Sequence, residues 1–188
     1  MGVGDWIALV TLIVAVLGGG IGAFAILQWQ SGNKIKRAEF IGHIIENLRF
    51  DYENAQTMYL FEYDAPWYNE SFHGGSDTER KVDKLFSYLS YICYLREKNI
   101  LSEDEFSILE YKIRSICLSI QAQAYLWTLY HLAQKNNILC PFHNLVAYMR
   151  TNVFDEKQRE RFDSPDTKVS GYSGVLNFPR KAVYESRR

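Results

Sequence analysis

Trp6-Ile-Ala-Leu-Val-Thr-Leu-Ile-Val-Ala-Val-Leu-Gly-Gly-Gly-Ile-Gly-Ala-Phe-Ala-Ile-Leu-Gln-Trp29 is the stretch that decides the architecture. From Trp6 to Asn33 there is no Lys, Arg, Asp, Glu or His. A spanning helix needs about 20 mostly apolar residues. At a helical rise of about 1.5 Å per residue, Trp6 and Trp29 would sit roughly 34 Å apart. That puts one indole near each interface of a hydrocarbon core about 30 Å thick. Gly18, Gly19 and Gly20 would weaken a helix in water. In lipid the backbone groups have no other partner, so the helix is expected to persist. A cleaved signal peptide, with Ala23-Phe-Ala25 as its processing site, is the rival reading. It fits less well, because the segment starts with Asp5 and carries no basic residue before the apolar run.

Outward from this run the composition changes abruptly. Lys34, Lys36 and Arg37 follow it at once, and the positive-inside rule then places the rest of the chain in the cytoplasm. Cys93, Cys117 and Cys140 are an odd set within apolar patterns and read as reduced core thiols, in keeping with that compartment. With 21 basic against 22 acidic residues, the chain is not a strongly basic nucleic-acid binder. One charge-free run in 188 residues excludes a polytopic transporter.

The apolar run has a face. Gly4, Ala8, Thr11, Ala15, Gly18, Gly22 and Ala25 follow alternating steps of four and three, and all are small. Small residues let helix backbones approach closely in lipid, where packing rather than hydrophobicity draws helices together. The expectation is self-association through this seam, as in the wall of a pore. The plainer reading is that Gly and Ala are common in membrane helices.

After Lys34 the periodicity is helical throughout, and no alternating strand pattern of useful length occurs. Ile41, Ile45, Leu48, Tyr52, Ala55 and Tyr59 predict one helix from about Asn33 to Tyr63. Pro66, Gly74 and Gly75 mark a loop. Asp77 is a candidate N-cap for a helix with Val82, Leu85, Phe86, Leu89, Ile92 and Cys93 on its core face, ending at Asn99. Ser102-Glu-Asp-Glu105 is a capping box, with Leu101 and Phe106 as its hydrophobic staple. The helix it opens runs to Asn136 and Asn137, with a bend near Ser119. Pro141 opens a last short helix carrying Leu145, Val146 and Met149. The predicted fold is all-α: one N-terminal transmembrane helix and a cytosolic bundle of about 4–6 helices. The expected divisions are an anchor over 1–33, a helical domain over 34–154 and a flexible charged tail over 155–188, in which Val175 to Phe178 is a docking segment.

The search for chemistry finds little. Glu39, His43 and Glu46 share a helix face, and Cys140 stands three residues before His143. Neither set has the partner ligands that a dimetal or zinc site needs. No phosphate loop or nucleophile elbow occurs. The expectation is a protein that is not an enzyme and carries no metal or cofactor. Aromatic residues, at 15% with 13 tyrosines, are the anomaly. Lys81, Lys84, Tyr88 and Tyr91 lie on one side of the second predicted helix. Lysines beside tyrosine faces suit a single-stranded nucleic acid, charge for phosphate and rings for bases. Arg49 and Lys112 are candidates to add charge. Alternatively, the tyrosines fill the edge of a core or a subunit interface.

Lys34-Ile-Lys-Arg-Ala-Glu-Phe-Ile41, Tyr59-Leu-Phe-Glu-Tyr-Asp64 with Trp67-Tyr68, Glu79-Arg-Lys-Val-Asp-Lys-Leu-Phe-Ser-Tyr-Leu89 and Leu101-Ser-Glu-Asp-Glu-Phe106 together carry a resemblance over roughly residues 5–150. The chain resembles small bacterial single-pass membrane proteins with an all-helical cytosolic domain of unknown function. Its architecture is similar to that of the membrane effector of the Hailong antiphage system. That resemblance implies a homo-oligomeric channel in the bacterial inner membrane. It also implies control by an oligodeoxyadenylate, the nucleotide ligand made by a partner nucleotidyltransferase. A membrane-tethered scaffold or adaptor with no pore is the alternative, since it needs only the anchor and an interaction surface.

Overall fold

The computed structural model describes residues 32, 34–63, 65–68 and 76–172. Every regular element among them is a helix, in agreement with the all-α expectation. The Trp6–Trp29 run and its small-residue seam lie outside the described residues, as does Val175 to Phe178. Among the described residues no helix is long and apolar enough to cross a membrane. The chain divides into two compact units, Met1–Glu46 and Asn47–Arg188. In the first, the described residues from 34 onward are helical, and Ile41 and Ile44 are buried.

The elements are α1 (34–49), α2 (Tyr52–Glu62), α3 (Asp77–Glu97), α4 (Glu103–Leu118), α5 (Ile120–Lys135), α6 (His143–Tyr148), a π-turn (Met149–Val153), α7 (Glu156–Asp163) and α8 (Thr167–Ser170). In the second unit α3 is central and packs on α2, α4 and α6. Its stripe Val82, Leu85, Phe86, Leu89 and Ile92 is entirely without solvent exposure. Each such side chain contributes about 1.5–3 kcal/mol on burial. Much of the aromatic content packs there. Phe86 stacks on Phe61 at 5.6 Å and meets Phe142 edge-on at 5.7 Å, and the Tyr125 ring lies 6.1 Å away. The Tyr125 hydroxyl donates to Asp83 at 2.6 Å, so the buried ring keeps a polar anchor.

The structure differs from the sequence-based expectation at three boundaries. The single helix expected over 33–63 breaks at Phe50 and Asp51. The Asp51 carboxylate accepts the Asn54 N–H at 2.9 Å and caps a new helix, the competition with helical continuation that short polar side chains offer. The N-cap of α3 is Ser76, not Asp77. Ser76 Oγ accepts the Glu79 N–H at 3.1 Å and Glu79 accepts the Ser76 N–H at 2.8 Å, a reciprocal box that Asp77 cannot make with Arg80. The third difference concerns residues 155–172, which are folded: α7 and α8 lie there, Phe162 is fully buried and Tyr172 is buried. A helix with one apolar residue per two turns reads as solvated tail, yet that one residue is seated among Tyr130, Phe154 and Tyr172. These additional helices, with the break at Asp51, raise the count above the expected 4–6.

Other local signals hold. The box at Ser102 and Glu105 forms, with Leu101 and Phe106 both buried. Ser119 ends α4 and precedes α5 in extended backbone, and Gln123 Nε2 donates to the Cys117 carbonyl that the bend leaves open. The ends of α3 and α5 share one device. Asn99 and Asn137 adopt positive φ of 54° and 52°. Ile100 N–H donates to Leu95 O and Asn99 N–H to Arg96 O; Ile138 and Asn137 repeat the pattern on Ala133 and Gln134. This is the Schellman arrangement, with asparagine in the left-handed position usually held by glycine. The π-turn closes with Phe154 N–H donating to Met149 O at 2.9 Å, one residue wider than an α-turn.

α7 is fastened to α5 by polar contacts under a ring cluster. Trp127 Nε1 donates to Ser164 O at 3.0 Å, and His131 Nε2 lies 2.8 Å from Phe162 O. Arg150 forms a two-bond pair with Asp163 at 2.7 Å on each arm. Burial holds His131 below its ordinary pKa, outweighing the Phe162 carbonyl and Asp163, which favour the charged ring, while Arg150 adds to the lowering.

Two predictions follow from these contacts. Asn99→Ala lowers stability by about 1 kcal/mol, because an ordinary side chain tolerates the left-handed region poorly, whereas Asn99→Gly does not lower it; urea unfolding of both variants decides. His131 binds protons less readily folded than unfolded, so its part in stability is complete above the unfolded value of about 6.5 and is lost as pH falls from there through the lowered folded value. Thermal melts between pH 8 and pH 5 should show this slope, and His131→Gln should flatten it.

Candidate functional site

Three of the four sequence-nominated residues meet in one place. Lys84, Tyr88 and Tyr91 from α3 line a groove of about 430 Å³ with Ser87, Asn47, Asp51 and Asn54. That volume is within the range of about 300–1,000 Å³ usual for small-ligand pockets. Helical spacing places Lys84, Tyr88 and Tyr91 on one side of α3, and the break at Asp51 turns α2 so that Asp51 and Asn54 form the facing wall. Tyr91 is 47% exposed, so it belongs to the groove rather than the core. Tyr88 is half-buried, and that burial pushes its hydroxyl up, opposed by a hydrogen bond with Asn47. Asn54 is buried: its Nδ2 donates to Asn47 O at 2.8 Å, and its Oδ1 has no hydrogen-bond partner among the described residues.

The charges are arranged differently from the expectation. Lys84 Nζ is 2.5 Å from Glu53 Oε2 and 3.7 Å from Asp51 Oδ1. The Glu53 hydrogen bond holds the ammonium above its ordinary pKa, against desolvation and with the Asp51 carboxylate adding to the rise. Lys81 does not line the groove; its Nζ pairs with Asp77 one turn away at 3.0 Å. Both lysines are therefore committed to carboxylates, and a phosphate would have to exchange with Glu53 for Lys84. The Tyr91 ring, in contrast, stands nearly half exposed at the groove. Arg49 and Lys112 belong to a second groove, of about 380 Å³, with Ala55, Met58, Tyr59 and Glu62, where Lys112 is paired with Glu62.

Asp51, Glu53, Asn47 and Asn54 escaped the sequence reading because one uninterrupted helix over 33–63 gives no reason to bring them against α3. The signal that finds them is the cap pattern Asp51-x-x-Asn54, which restarts the helix. Other candidates are not assembled into a site. His43 Nδ1 lies 3.5 Å from Glu46 at an exposed position, and no three His, Cys, Asp or Glu side chains among the described residues are placed to hold a metal. Cys93, Cys117 and Cys140 are free and buried, as expected. Burial pushes the Cys93 thiol up to about 12 and raises the other two, which keeps them protonated and unreactive.

Because Tyr91 stands outside the core, Tyr91→Ala should alter folding stability by no more than about 0.5 kcal/mol, the usual range for surface positions. A denaturant melt of the variant checks this and makes Tyr91 a usable probe of ligand contact.

Comparison of the chain with family models, with curated proteins and with solved structures finds no match.

Proposed function

We propose that this chain is a non-enzymatic, membrane-anchored oligomeric effector of bacterial antiphage defence that forms or gates a channel under control of a nucleotide or oligonucleotide. In this reading the Trp6–Trp29 run crosses the inner membrane once and Lys34, Lys36 and Arg37 keep the helical domain in the cytoplasm. The seam of Ala8, Thr11, Ala15, Gly18, Gly22 and Ala25 packs one anchor on another. The resemblance to the Hailong effector supplies the defence setting and the channel. The observation that carries the sensing part is the meeting of Lys84, Tyr88 and Tyr91 in one groove large enough for a nucleotide.

The arrangement of charge refines the mode of binding. Base stacking on Tyr88 and Tyr91 provides the main contact, and Lys84 reaches phosphate only by leaving Glu53. Salt dependence is then shallow, since few counterions are released. Lys81, held by Asp77, contributes at the margin.

The test is binding of short single-stranded DNA to the full-length chain in detergent at two salt concentrations. Loss of a stacking ring in Tyr91→Ala should weaken binding by roughly 1–3 kcal/mol. Lys84→Ala should change the logarithmic salt slope by about one unit or less. Wild-type protein that binds no oligonucleotide at micromolar concentration rejects the sensing role of this groove.

A further inference from the structure

We infer that the outward face shared by α2 and α4 is a contact surface for a second copy of this chain. α2 presents Tyr52, Tyr59 and Tyr63 along one stripe, and α4 presents Ile108, Tyr111 and Leu118. The four tyrosines are 54–79% exposed, and Ile108 and Leu118 nearly half exposed. Helical spacing puts both stripes opposite the buried faces, which are Asn54, Thr57, Met58 and Phe61 on α2 and Phe106, Leu109, Ile113, Ile116 and Cys117 on α4. α2 and α4 are in contact, and the pairing of Glu62 with Lys112 ties them beside Tyr63 and Tyr111. Tyr59 and Tyr63 stack at 5.9 Å, so the rings are already ordered against each other before any partner arrives.

The area and the composition select the occupant. At about 150–250 Å² for a fully buried aromatic side chain, the exposed parts of these six residues offer on the order of 700 Å². A standard interface takes about 800 Å² from each partner. Monomers seldom expose apolar patches beyond about 300–600 Å². Tyrosine is a residue that interfaces favour, because its ring buries area while its hydroxyl stays paired. The adjoining groove carries Arg49 and Lys112 together with Glu62. A patch holding both signs beside a shared apolar centre can meet its own copy across a two-fold axis without like-charge repulsion, since Lys112 is already paired with Glu62 within each copy. A polyanion would meet Glu62 instead, and a lipid surface would meet tyrosine hydroxyls and no concentrated positive charge.

This surface deepens the oligomeric part of the proposed function and rests on it, but it needs no ligand. The experiment therefore uses full-length protein in detergent without oligonucleotide. Mass is measured by light scattering across a concentration series, and a melting curve confirms the fold of each variant. Tyr59→Ser with Tyr111→Ser should weaken association at least tenfold, while Gly18→Leu with Gly22→Leu, in the anchor, should leave a dimer held by the helical domain. Wild-type protein that stays monomeric at micromolar concentration overturns the inference. So does association that is unchanged by the tyrosine pair and abolished by the glycine pair, which would assign assembly to the anchor alone. Either result leaves the binding of DNA to the Lys84 groove as a separate measurement.

Discussion

The burial of one stripe of α3 is the constraint on which the second unit depends. Val82, Leu85, Phe86, Leu89 and Ile92 lose all contact with water because α2, α4 and α6 pack on α3 and Tyr125 reaches it from α5. Fixing that stripe fixes the remainder of the helix surface by phase. Lys84, Tyr88 and Tyr91 fall outside the buried arc, and so they become a wall of a groove. Asp83 falls between the two regions and receives the Tyr125 hydroxyl. The groove is thus a by-product of core packing in its position, and particular to this chain only in the side chains that line it.

The same α3 segment explains how much was legible beforehand. Its core positions, the box at Ser102 and the bend at Ser119 all follow from local periodicity and capping chemistry, which a sequence displays directly. The misplaced features share a different cause. Asp51 interrupts an apolar pattern that continues in phase through it, so periodicity alone runs straight over the break. Phe162 lies in a segment of charged residues, and its burial is decided by Tyr130 on α5 together with Phe154 and Tyr172, none of which its own helix reveals. The groove fell between these cases: its α3 wall was readable, and its α2 wall depended on the unread break.

Pairing of the groove lysines also changes how the surface should be viewed. Side chains selected by type, Lys beside Tyr, looked like a polyanion track. Their geometry places Asp51 and Glu53 within reach of Lys84 and Asp77 within reach of Lys81. A cation held by a carboxylate is a different object from a free one, since any anionic ligand must first displace the internal partner. Near-neutral composition, at 21 basic against 22 acidic residues, is thus reproduced at the scale of one site.

The π-turn at Met149–Val153 has a bearing on how this chain can change length. Widening a helical turn by one residue absorbs an extra position without displacing the helix before it. Here the turn stands between α6, which is packed on α3, and Phe154, which begins the path to Phe162. Removing one residue from the turn would restore an ordinary α-helix and rotate all that follows by about 100°. Phe154 and Phe162 would then leave their shared seat. The turn is in this sense a register mark: the spacing between Tyr148 and Phe154 sets the seat of everything folded after it.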